Sequence, residues 1–177
     1  YEGKFPQARA LYLYMAAHPG KQLNFMGSEL GQLREWDESR EQDWELLRYP
    51  IHDGFFHYCR DLNRLYLSSP ALWEQDYEQA GFQWLCQDEE NRCRFAFLRR
   101  GGGEEVLAVF NFSDCAQKDW HLAVPSCGRL TLMLDSDGVS YGGSTHHGDE
   151  LLIPSGHGTL SLSLPPYTAR LYRLESC

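Results

Sequence analysis

The chain has 177 residues, of which 42% are hydrophobic and 14% aromatic, enough apolar surface for a packed core and too much for a disordered chain. Its formal charge of −9, from 16 basic and 25 acidic side chains, repels phosphate backbones and anionic bilayers. That argues against nucleic acid or membrane partners and leaves a neutral polysaccharide unaffected.

The six cysteines, Cys59, Cys86, Cys93, Cys115, Cys127 and Cys177, form no Cys-x-x-Cys pair and stand at no zinc-ligand spacing with the histidines. Free thiols in a reducing compartment are the expectation, since a domain of this size needs no disulfide staples. There is no signal-peptide pattern and no apolar run near the ~20 residues of a membrane span, so the expected compartment is the cytoplasm. The opening Tyr1-Glu2-Gly3-Lys4-Phe5-Pro6 reads as the middle of a loop, as if something preceded it.

In chain order, Pro6 suits a first helical turn, and Ala8, Leu11, Tyr12 and Met15 recur at helical spacing to give one apolar face. His18-Pro19-Gly20 ends that helix. The apolar run 23–27 has the length of a buried strand. Residues 31–50, rich in Trp, Arg, Glu and Asp, read as a long functional loop or a short helical excursion. Asp53 is placed to cap a second helix with the stripe Phe55, Cys59, Leu62, Tyr66, which Ser68-Ser69-Pro70 closes.

From Phe82 the period changes to two. Phe82, Trp84 and Cys86 alternate with Gln83 and Leu85, and strands are expected at 94–99, 105–112, 120–124, 130–134, 149–153, 158–164 and 169–174. Turn signals separate several of them: Gly101-Gly102-Gly103, Pro125-Ser126-Cys127-Gly128, Gly142-Gly143 and Pro165-Pro166. This pattern predicts an antiparallel sandwich. The amino-terminal part has the grammar of a helix–strand–helix unit, and one strand cannot make a sheet. It therefore reads as the tail of a larger α/β domain, with the division at 1–76 and 77–177.

Carboxylates crowd the loop after the early run (Glu29, Glu35, Asp37, Asp43, Glu45), but an acidic loop is ordinarily just solvated. His146-His147-Gly148-Asp149 lacks an evident third ligand and reads as loop histidines rather than a metal site. Neither a nucleophile elbow nor a phosphate-binding glycine loop is present. Trp84 and Trp120 have the positions of core residues. Trp36 and Trp44 lie in the polar loop and are candidates for stacking on a ligand.

Several strings then become recognisable: Leu13-Tyr14-Met15, His18-Pro19-Gly20-Lys21, Phe25-Met26-Gly27-Ser28-Glu29-Leu30-Gly31-Gln32, Arg34-Glu35-Trp36, Asp43-Trp44-Glu45-Leu46-Leu47 and Arg60-Asp61-Leu62-Asn63-Arg64-Leu65-Tyr66. With Gly81-Phe82-Gln83-Trp84, Asn111-Phe112-Ser113, Asp135-Ser136-Asp137 and Tyr141-Gly142-Gly143-Ser144, this ordered set resembles the carboxyl-terminal part of bacterial 1,4-α-glucan (glycogen) branching enzymes. The resemblance covers essentially the whole chain. It implies the terminal helix–strand–helix portion of a (β/α)8 barrel followed by an all-β antiparallel sandwich.

The implied partner is α-glucan (glycogen, amylose-type chains), and the implied reaction retains configuration through a covalent glycosyl-enzyme without metal or organic cofactor. Neither the family's nucleophile and acid/base motifs nor its His-Asp-Glu string occurs here, so the resemblance implies no catalytic residue in this chain. Glu29, Gln32 and Trp36 match the loop after the final barrel strand, and Trp44 joins them as a substrate-binding candidate. Leu30 and Leu33 replace the more usual aromatic and polar residues of that loop. An incomplete barrel leaves apolar surface uncovered, so self-association, or a loosely held segment before about residue 50, is expected. The competing readings are a non-catalytic glucan-binding β-sandwich module and a debranching or trehalose-releasing relative.

Overall fold

The computed structural model describes residues 3–88, 92–125, 128–146, 151–154 and 158–175. Two α-helices come first, α1 (Lys4–Ala17) and α2 (Pro50–Ser68). The strands follow: β1 (Phe82–Gln87), β2 (Arg94–Gly101), β3 (Glu104–Asn111), β4 (Gln117–Ala123), β5 (Arg129–Asp135), β6 (Leu151–Leu152), β7 (Thr159–Leu164) and β8 (Thr168–Glu175). Each strand expected from Phe82 onward overlaps one of these, with its ends displaced slightly.

The pairings between these strands are antiparallel. Six strands form one sheet in the order β1-β2-β3-β8-β5-β6, and β4 with β7 forms a separate ribbon. The β2–β3 hairpin is tight because Gly102 (φ 58°) and Gly103 (φ 77°) both occupy the left-handed region that a two-residue turn of this hand requires.

The six-stranded sheet is buried on both faces. Phe97, Val106, Ala108, Phe110 and Leu171 meet Ala10, Leu13, Phe55 and Leu62 of the helices. Leu98, Leu107, Val109 and Tyr172 meet Trp120, Leu122, Leu160 and Leu162 of the ribbon. Double burial explains why 106–110 is an unbroken apolar run, whereas β7, wet on one side, alternates cleanly.

Buried charges tie the layers together. Arg9 on α1 donates to the carbonyls of Ser136 and Tyr141 (the latter at 3.1 Å) and lies 4.0 Å from Asp137. Asp137 accepts from the Ser144 hydroxyl at 2.6 Å and the Thr145 hydroxyl at 2.7 Å. Asp135 pairs with Arg170 at 2.7 Å, and Arg99 bridges Asp76 and the Ala17 carbonyl. The Asp135-Ser136-Asp137 and Tyr141-Gly142-Gly143-Ser144 strings are thus the joint between sandwich and helices.

The structure corrects four local expectations. First, α1 buries Phe5, Arg9, Ala10, Leu13, Ala16 and Ala17, leaving Leu11 (50%) and Met15 (36%) exposed. The helix is apolar around most of its circumference, so periodicity does not choose a face, and the sheet takes the side with small alanines. Second, α2 begins at Pro50, and Asp53 lies inside its first turn, paired with His57 at 3.2 Å rather than capping. Third, the run 23–27 pairs with no strand among the described residues, and its residues 23–26 are open to solvent, Leu23 to 75%. Fourth, a bulge between Trp84 and Cys86 turns β1 over, so Trp84 packs on the helix side and Cys86 on the ribbon side. Cys59 is buried in the α2 stripe as expected, and Cys59, Cys86, Cys93 and Cys115 are free thiols.

Candidate functional site

The exposed face of the helical end carries the residues singled out in the sequence. Gly27 (φ 80°) and Gly31 (φ 63°) bracket a 3-10 turn, Ser28–Leu30, and both need the left-handed conformation that glycine adopts without steric cost. Leu30 drives into the core with no exposed surface, so Glu29 and Gln32 flank a buried pin. From α2, His52 Nδ1 donates to the Leu30 carbonyl at 2.7 Å, and a Cβ on Gly31 would lie 2.8 Å from the Phe5 ring.

Glu29 is oriented from outside. Its Oε2 accepts from the Asn24 amide at 2.9 Å, and Asn24 Oδ1 accepts from the Tyr12 hydroxyl at 3.0 Å. The Oε1 of Gln32 is buried and has no hydrogen-bond partner among the described residues.

Trp36 is 41% exposed, with Phe25 packed edge-on against it at 5.7 Å. Its loop is closed by Arg34, which makes two 2.8 Å bonds to Asp43 and reaches the Glu41 carbonyl. Trp44, 53% exposed, opens the short 3-10 helix Trp44–Arg48, which lies against the Ser28–Leu30 turn. The structure therefore places Glu29 on the turn and Gln32 just past its closing glycine, and sets the two indoles on neighbouring segments. An indole face offers a dry platform to the apolar face of a sugar ring, and a carboxylate and an amide can serve its hydroxyls.

Asp37 accepts from the hydroxyl and backbone N–H of Ser39, which hold its carboxyl below the usual range. That is the reverse of what a general acid requires. Trp84 is half-buried in an aromatic cluster with Phe82 and Phe97. Trp120 is 4% exposed beneath the Arg94 guanidinium. His146 is exposed, and the rest of its string lies outside the described residues. Among the described residues, no three His, Cys, Asp or Glu side chains gather as metal ligands, and no helix is long and apolar enough to cross a membrane.

Sequence reasoning missed the supports: Phe5, Tyr12, Asn24 and His52. Asn24 carried a signal, being the polar interruption of an apolar run. His52 carried none, because its partner is 22 positions away.

Comparison with known proteins bears on this architecture. The 1,4-alpha-glucan branching enzyme GlgB of Bradyrhizobium diazoefficiens is 42% identical over 170 residues, which cover 94% of this chain and 24% of that protein. For the enzyme of the same name from Oceanobacillus iheyensis the figures are 36% over 180 residues, 97% and 28%. For that from Nocardia farcinica they are 47% over 137 residues, 77% and 18%. The chain thus spans about a quarter of the length of the curated relatives it matches. Among solved structures, an alpha-amylase from Geobacillus thermoleovorans, complexed with acarbose, matches with a TM-score of 0.69 at 20% identity. The match covers 97% of this chain and 34% of that one and speaks for a shared fold. The family model described as "Alpha amylase, C-terminal all-beta domain" matches residues 84–175, from within β1 to the end of β8, and this chain belongs to that family.

Proposed function

We propose that this chain is the carboxyl-terminal part of a 1,4-α-glucan branching enzyme. Such an enzyme cuts an α-1,4-glucan and moves the cut segment to a C6 hydroxyl, creating an α-1,6 branch of glycogen. The observation that carries the reading is similarity at 36–47% identity to branching enzymes from several bacteria, reaching across 94–97% of the chain in all but one of those compared above. Residues 1–76 are the end of the catalytic barrel on this reading, and 77–177 are the sandwich. The unpaired run 23–27 would gain its ladder from barrel strands that this chain does not supply.

The nucleophile and the acid/base belong to those other parts of the enzyme. This chain furnishes one wall of the glucan cleft. Trp36 and Trp44 stack on sugar rings, while Glu29 and Gln32 hydrogen-bond hydroxyls. A neutral glucan in the cytoplasm meets no penalty from the acidic surface. In isolation the exposed apolar side chains Leu11, Leu23, Phe25, Met26 and Leu33 drive self-association, read as a concentration-dependent sedimentation coefficient.

The test is an amylose–iodine assay with two proteins. The 177-residue chain alone is expected to leave the blue colour unchanged. A chimaera carrying this chain in place of the matching quarter of the Bradyrhizobium diazoefficiens enzyme is expected to lower the colour and form α-1,6 linkages. A folded chimaera without branching activity would refute the assignment.

A further inference from the structure

We propose that His52 is a positioning residue for the glucan cleft, setting the tilt of the turn that carries Glu29. The inference rests on the reading above that this turn faces glucan. A carbonyl only accepts, so the 2.7 Å contact to Leu30 places a proton on His52 Nδ1. The ring is 3% exposed and is met edge-on by Phe5 at 4.9 Å, so it has little freedom to swing.

Glycines in the left-handed region stand at both ends of the turn, at φ 80° and 63°. Backbone there has hinge freedom, and the fixed points between the hinges are the buried Leu30 side chain and its carbonyl, held by His52. The outer tether, from Tyr12 through Asn24 to Glu29, then fixes the carboxylate on a turn whose tilt is already set. No substrate contact is assigned to His52. It acts through Leu30.

Contacts made by this turn to glucose units away from the reacting bond are equal in ground and transition states, so loosening them raises KM and spares kcat. In the chimaera, His52→Leu is expected to raise KM for amylose about tenfold with kcat within about twofold. His52→Asn, whose amide N–H can take the place of Nδ1–H, is expected to recover KM to within about threefold of the parent. An unchanged KM in His52→Leu would overturn the proposal, as would a fall in kcat shared by both variants.

If circular dichroism shows that His52→Leu does not fold, His52→Phe, which keeps a ring against Phe5 but offers no N–H to the Leu30 carbonyl, decides instead. A rise in KM of about threefold supports the positioned turn, and none overturns it. Absence of branching by the unsubstituted chimaera would point instead to failure of the functional reading.

Discussion

Replacing Arg9 by Met tests the joint between helices and sandwich. Met keeps most of the apolar stem and removes a guanidinium that is 1% exposed. Burial pulls the Arg9 pKa down and the Asp137 carboxylate partly restores it, so the charge is held at a desolvation cost. Asp137 keeps its bonds from Ser144 and Thr145, so the substitution strands no carboxylate. The loss falls on two carbonyls, Ser136 and Tyr141. Leaving each unpaired costs about 1–3 kcal/mol, against which relief of guanidinium desolvation returns part.

A net loss of about 2–3 kcal/mol is expected, which for a chain of this size lowers Tm by roughly 5–10 °C. Circular dichroism melts of the 177-residue chain read this directly. Tyr58→Phe serves as a milder companion, since it removes one 2.8 Å bond to the Arg9 carbonyl. If Arg9→Met melts at or above the parent, the guanidinium is a burden and not a tie, and the joint is held by packing alone.

Two further outcomes are expected. Burial, with the Asp61 carboxylate second, pushes the Tyr141 phenol from an ordinary value of 10.0 up to about 12. Stability from that shift is whole below pH ~10 and is lost as pH rises through about 12, so Tyr141→Phe should blunt alkaline unfolding. An unaltered alkaline limb would contradict the assignment. Burial, followed by Glu29, also pushes the Cys59 thiol up to about 12, while Cys93 is exposed and Cys115 is exposed but raised by Asp114. Alkylation mapped by mass spectrometry should proceed in the order Cys93, Cys115, Cys59, and labelling of native Cys59 at the Cys93 rate would show the helix pair to be open.

The sandwich strands were legible because their signals are local. Leu160-Ser161-Leu162-Ser163-Leu164 alternates, and Gly101-Gly102-Gly103 can make the hairpin that follows β2. The face chosen by α1 was not legible, since its alternative stripe is equally apolar. The bulge that sends Cys86 to the opposite side was hidden too, because Phe82, Trp84 and Cys86 alternate as if the strand were regular. Glu29, Gln32 and Trp36 emerged through family resemblance, with Trp44 picked out by its place in a polar loop. What composition could not reveal is that α1 and α2 hold the turn between them, because Phe5, Tyr12 and His52 reach it from distant positions.

The strand order has a bearing on biosynthesis. β8 is the last of the described strands to emerge from the ribosome, yet it occupies the interior of the sheet between β3 and β5. β1, β2 and β3 can zip together as each is made, whereas β5 and β6 have no place to join until residues 168–175 arrive. The closing pairs are distant ones, such as Asn111 with Thr168, and such pairings form slowly. Loss of residues 168–175 would therefore part the sheet into two halves instead of fraying a margin.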